Sequence, residues 1–302
     1  MTLRPWLVLA LSTAGCGDAG DSGPGDTGQA PDLAEPLGPG QTRAGVIHDE
    51  AALLGGISAE GRLGDLKIYN ESVAFVIQAA RDDGSYITRQ GGTVIDADVV
   101  RPGAQPGRDL VDDWVPMVGV GRIPDPDRVW VVDPGGDHPA VIRAEGGLAP
   151  VEYVTGALEA PDAFPDLGLR VSTDYVLDPA SPLLRVETTV TATDTGVTLA
   201  VGDMLVGSLE DADPWAPAVG RTREIPDGSP WGALVHRENG LALALLAEPG
   251  KTLRAETAFS VLADHIPVLA GFSDTVEVPE GGAFTWVRFY GAGRDLAEVT
   301  DA

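Results

Sequence analysis

With 302 residues, the chain can hold one large all-β domain or two smaller domains. Gly and Pro are abundant, aromatic residues are few, and 20 Lys and Arg face 46 Asp and Glu, for a formal charge of −26. Such a surface repels phosphate backbones and anionic lipid, which excludes nucleic acid as a partner and a charge-driven hold on a membrane.

Residues 1–15 read MTLRPWLVLALSTAG. Arg4 is a short basic start and Trp6 to Leu11 an apolar run too short to span a bilayer, in the proportions of a signal peptide. Small residues then lead into Cys16, the only cysteine of the chain, so neither an internal disulfide framework nor a cysteine-rich zinc site can form. Thr13-Ala14-Gly15-Cys16 resembles a bacterial lipobox, with Thr13 where leucine is commoner. The resemblance implies a lipid on Cys16 that tethers the protein to a membrane, and hence a place in the bacterial cell envelope, at the outer membrane or the cell surface. Residues 16–40 are rich in Gly, Asp and Pro and nearly free of apolar side chains, which predicts a flexible tether.

Folding is expected from Gln41, with 41–302 as a single domain, because no polar linker divides it. Residues 47–56 read as a short helical turn or irregular chain. Residues 66–69 and 73–79 form a hairpin around Asn70-Glu71, and 93–100 a strand with Asp96 and Asp98 on one side. A Pro/Gly loop spans 101–113, and a strand follows at 114–121. Residues 128–132 and 140–144 pair across a Pro-Gly-Gly turn, and 151–158 is a further strand.

The centre of the chain is clearest. Leu184, Val186, Thr188, Val190 and Ala192 share one face, and Arg185, Glu187, Thr189, Thr191 and Thr193 the other, a period of two with one face wet. With 169–177 before it and 197–206 after the Asp194-Thr195-Gly196 turn, it predicts a three-stranded meander. Residues 210–230 read as a long loop, and 232–236 and 241–247 as a hairpin over Asn239-Gly240. Strands at 255–263, 275–278 and 283–290 complete the chain. About fourteen short strands without a long amphipathic helix indicate an all-β fold, a large two-sheet antiparallel β-sandwich.

Several phrases carry a resemblance: NESVAFVIQ (70–78), GGTVIDADVVRP (91–102), VWVVDPGGDHPAVIRAEG (129–146), TDYVLDPASPLLRVETTVTATDTG (173–196), VGDMLVGS (201–208) and WVRFYGAGRDLAEVTDA (286–302). Together they resemble the N-terminal β-sandwich region of secreted bacterial proteins of the CehA/McbA-like group of polymerase-and-histidinol-phosphatase (PHP) metallohydrolases. No His-x-His pair occurs in the chain, so the resemblance implies the accessory β-domain without the hydrolase. The stretch around Tyr175 to Val190 is also similar in style to the supersandwich of galactose-mutarotase-like proteins, a likeness of fold, which does not carry function.

Three residue types invite a site. His48, His138, His236 and His265 are scattered, and no local motif gives any of them a base or ligand role, so no catalytic residue is assigned. The pairs Asp96/Asp98, Asp112/Asp113, Asp125/Asp127 and Asp211/Asp213 sit in or near turns. No cofactor is required, although calcium, with about six to eight oxygen ligands, is the ion such loops can serve. Trp114, Trp215 and Trp231 lie beside loops rich in Pro and Asp, where an indole can stack on a sugar ring while carboxylates take its hydroxyls. Trp130 and Trp286 read as core. The best constellation is Trp215 with Asp211 and Asp213, with Trp231 and Trp114 as further platforms. Neither a nucleotide loop nor a Gly-x-Ser-x-Gly elbow is present. The expectation is therefore a non-catalytic envelope protein that binds carbohydrate or a protein partner. The alternative is a carbohydrate-active enzyme whose site is assembled from distant His, Asp and Glu.

Overall fold

Alternation in the sequence becomes strand, and the strands form two sheets. The computed structural model describes residues 31–83, 88–101, 105–119, 121–151, 165–207, 212–222, 225–255, 268–272 and 275–301. Among these, the first sheet has nine antiparallel strands, in spatial order β17 (Arg254–Ala255), β18 (Val268–Phe272), β12 (Val201–Gly207), β5 (Val111–Val118), β4 (Val94–Val99), β3 (Val73–Ile77), β2 (Leu66–Asn70), β1 (Thr42–Val46) and β7 (Gly135–Gly136). The second also has nine: β14 (Gly220–Arg221), β13 (Asp213–Ala216), β15 (Trp231–His236), β16 (Leu241–Ala247), β20 (Ala283–Gly293), β10 (Leu183–Ala192), β9 (Leu169–Leu177), β8 (Ala140–Pro150) and β6 (Arg122–Asp133). A ribbon of β11 (Val197–Leu199) and β19 (Val276–Val278) stands apart. The one α-helix among the described residues, α1 (Leu296–Thr300), starts at Asp295, whose carboxylate accepts from the Glu298 N–H at 3.1 Å.

The sheets face each other across one apolar layer. Ile68, Phe75, Trp114 and Leu205 of the first meet Ile142, Tyr175, Val186 and Leu243 of the second. Trp114 stacks on Tyr290 with centroids 4.0 Å apart and planes 13° off parallel. Burying each such side chain contributes about 1.5–3 kcal/mol. The expected two-sheet antiparallel sandwich is therefore the observed architecture.

The two sheets differ on their outer faces. In β10 burial alternates along every residue, so the second sheet's outer face is wet there. In β2, β3, β4 and β12 every residue is buried. Both faces of the first sheet are covered at these strands, as continuous apolar runs require. Over β1 to β4 the cover is residues 31–37 and the turn at Glu50–Ala52, which pack Leu33 and Ala52 on Tyr69, Ala74, Val76 and Ile95.

Four readings change. Residues 31–40 do not belong to a free tether. Leu33 is 3 % exposed, and the compact unit runs from Pro31, because one leucine among polar residues suffices to dock a strap onto an apolar sheet face. The third strand of the meander does not return beside β10. It breaks at Ala200 into β11 and β12, and β12 crosses to the first sheet, where both its faces are buried; β20, which alternates through its middle, takes the place at the side of β10. The loop at 210–230 contains β13 and β14. The turn between β6 and β8 sends β7 to pair with β1, and only glycine fits at Gly135, where φ is +85° and a Cβ would lie 2.5 Å from Thr42 Oγ1. The hairpins β2–β3 and β15–β16 form as expected. Of the expected strands, 152–158 and 256–263 lie outside the described residues.

Candidate functional site

The best candidate lies on the outer face of the second sheet, where β13, β15 and β16 run side by side. Register decides which side chains share that face. Trp215 pairs with Ala233 and Asp213 with Val235, and Ala233 and Val235 pair with Ala244 and Ala242. Leu234, Leu243 and Leu245, of opposite parity, point into the inter-sheet core. Trp231, two residues before Ala233, therefore stands on the outer face with Trp215, and both pack half-buried against this row of alanines.

Asp213 gives the face its polarity. Its side chain is mostly covered and paired with Arg221 of β14; Arg237, just past β15, approaches it at 3.5 Å. The Arg237 guanidinium also lies over the Trp215 ring, 5.4 Å from its centroid. The result is two indoles, one carboxylate and two guanidinia along a strand edge, with hydrogen-bond donors and acceptors beside apolar planes.

The other candidates are distributed differently. Trp114 is fully buried between the sheets, so it offers no platform to a ligand; all three expected loop tryptophans lie on strands, because β5, β13 and β15 run through what reads as loop. Asp211 and Cys16 lie outside the described residues, as does His265. His48 follows β1, His138 lies between β7 and β8 with Asp133 at 2.9 Å, and His236 is buried at the end of β15, so these three stand on separate elements. Of the two tryptophans expected in the core, Trp286 is buried in β20, whereas Trp130 is only half-buried in β6, with the Arg128 guanidinium over its ring at 3.8 Å, because its parity is opposite to that of the core-packed Val129 and Val131.

Asp96, Asp98 and Asp127 are engaged by the chain itself. Asp96 and Asp98 face Val76 and Ala74 across β3, both on the covered side of the sheet. Asp96 accepts from the N–H groups of Glu60 and Gly61 at 2.8 and 3.1 Å. Asp98 accepts from Arg101, Val99 N–H and Arg108 N–H at 2.7, 2.8 and 2.7 Å. Asp127 pairs with Arg170. Among the described residues no three His, Asp or Glu side chains converge to hold a metal.

Sequence reading missed Arg221 and Arg237, which belong to the face only because β14 and β15 flank β13. It also missed Arg288 and Asp203, buried between the sheets. Their signal was present: Arg288 follows Phe284 and Trp286 at even spacing, so a charge stands at a core position. Arg288 Nε lies 2.8 Å from Asp203 Oδ1, and its Nη1 donates to Thr188 Oγ1 at 2.7 Å and Val186 O at 3.1 Å. With every partner inside the core, this network joins the sheets rather than presenting a site.

No protein-family model matches the sequence, and neither does any curated protein. Solved structures share the architecture. A TPR-domain containing protein from Parabacteroides distasonis aligns with a TM-score of 0.50 at 10% identity, over 79% of this chain and 48% of that one. The chain thus spans about half the length of that protein. A galactose mutarotase-like protein from Lactobacillus casei aligns at TM-score 0.45 and 11% identity, over 76% of this chain and 100% of that one. A putative aldose 1-epimerase from Escherichia coli K12 aligns at 0.44 and 12%, over 75% and 97%. At these identities the likeness is one of fold.

Proposed function

We propose that this protein is a lipid-anchored envelope protein whose sandwich binds carbohydrate on the outer face of β13 and β15. The observation that supports the reading is the placement of Trp215, Trp231 and Asp213 on one face, flanked by Arg221 and Arg237. Indole planes take the C–H faces of a sugar ring, and the carboxylate and guanidinia take its hydroxyls. The test is thermal unfolding against polysaccharides and peptidoglycan fragments. A glycan at about a hundred times its Kd adds about 2.7 kcal/mol, a shift of a few degrees for a domain of this size. Trp215→Ala abolishes that shift while leaving the unliganded midpoint close to that of the parent. A panel without any shift, or turnover of a sugar by the purified chain, overturns the non-catalytic binding reading.

The anchor rests on the order Thr13-Ala14-Gly15-Cys16 after a short apolar run. Cys16→Ser is expected to move the protein, expressed in a bacterium, from the detergent phase to the aqueous phase on phase partition. A Cys16→Ser protein that stays in the detergent phase removes the lipid from the proposal.

A further inference from the structure

The covered face of the first sheet holds a cavity of about 530 Å³ beneath the strap 31–37, floored by β2 and β4 and walled by Leu33, Leu53, Leu54 and Val100. We infer that this cavity binds a small monocarboxylate with an aliphatic body. Two buried cations carry the argument. Lys67 lies in β2 between inward-facing Leu66 and Ile68, so its side chain shares the outer face with Tyr69. Its residue exposure is 7 %, and its ammonium donates to Leu33 O and Ala52 O, both at 2.9 Å. Two of three hydrogens are thus spent on carbonyls, and among the described residues no carboxylate lies within ion-pair distance of Nζ. The Tyr69 ring centroid is 4.7 Å away.

Arg101 is the second cation. Its side chain is 8 % exposed and it pairs with Asp98 at 2.7 Å, yet its Nε–H is buried without an acceptor among the described residues. Asp98 is already saturated by two main-chain N–H groups. Glu35, also at the cavity, turns its carboxylate outward to Arg43 and is 60 % exposed there. The cavity is therefore lined by two cations and one committed carboxylate. The Asp32 carboxylate of the strap acts on Lys67 without an ion-pair contact, so the buried ammonium has no anion against it; a ligand carboxylate between Lys67 and Arg101 supplies one and offsets the cost of holding that charge away from water. The apolar walls have nothing to offer the hydroxyls of a sugar, but they suit an alkyl chain, and the volume falls in the range of small-molecule sites. Burial draws the Lys67 ammonium down to about 8, so it carries its charge at neutral pH.

The experiment is calorimetric titration of the full chain at neutral pH with octanoate, and with 1-octanol as the uncharged control. Octanoate is expected to bind one to one and octanol at least about tenfold more weakly, the worth of a charge-assisted hydrogen bond. Arg101→Gln weakens octanoate by about the same factor. Leu54→Trp, which fills the cavity and leaves both cations in place, abolishes binding. Equal affinity for octanol removes the anion from the assignment. Unchanged octanoate binding in Leu54→Trp places the ligand elsewhere, and no binding to a natively folded chain overturns the inference outright.

Discussion

Asp96 shows how far a residue's neighbours override its type. The sequence places it beside Asp98 on one side of a strand, and both stand there, but an acidic pair ordinarily faces water. Burial instead raises the Asp96 carboxyl from 3.8 to about 7, against the opposing pull of the Glu60 and Gly61 N–H groups. Asp109 is raised too, by burial first and by Asp96 next, while it accepts from the N–H of Ala97. A carboxyl that is more basic folded than unfolded keeps its proton in the folded state between these values. Its contribution to stability is full at acid pH and is lost as pH rises through about 7. The urea midpoint is expected to fall between pH 5 and pH 8, and to fall less in Asp96→Asn. Parallel profiles for the two proteins count against a buried, protonated Asp96. Leu33 teaches the same lesson in reverse, since nothing around it in sequence marks it as core.

Elements formed where periodicity was clean and moved where it was not. The strand at 183–192 and the hairpin over Asn239-Gly240 were legible because each is decided within about ten residues. β13 was not legible, since Asp-Pro-Trp-Ala has turn composition and is a strand only as the neighbour of β15. The helix α1 also depends on its support. Five residues do not make a helix in water, but Val299 is buried on β20, over Gly291 and Gly293, where a Cβ would meet it at 2.5 Å in both cases. Gly291→Ala is expected to cost about 1–3 kcal/mol by overpacking. Combined with Val299→Ala, the loss should fall short of the sum of the single losses by about 0.5–3 kcal/mol. Strict additivity in urea titrations denies that the two residues touch.

At the scale of the molecule, the two sheets are joined by a polar bridge as well as by an apolar layer. Arg288 of β20 and Asp203 of β12 meet in the core, and Tyr290 donates its hydroxyl to the same carboxylate. Breaking one side of a buried pair costs about 3–5 kcal/mol, because the other charge is stranded, whereas removing both can be nearly neutral. Asp203→Leu is therefore expected to lower stability by that amount, and Asp203→Leu with Arg288→Met to recover much of it. A double variant no more stable than the single one shows that the pair contributes net stability rather than selecting how the sheets meet. The outer faces of the two sheets are covered by different segments, the second at β15 and β16 by α1 beside Trp215 and Trp231, the first at β1 to β4 by the strap over the cavity.

The sequence by itself determined the fold class, the positions of the central strands and the parity that sets core against solvent, because these follow from local alternation and turn chemistry. It also grouped Trp215 with Asp211 and Asp213, and added Trp231 and Trp114 as platforms, since proximity along the chain and residue type are visible in it. Only the tertiary structure decided that Trp114 is core, that residues 31–37 close a cavity, and that Lys67, Arg101, Arg221 and Arg237 stand where they do. Those facts depend on which strands become neighbours, and strand pairing joins residues a hundred positions apart through contacts that no local pattern encodes.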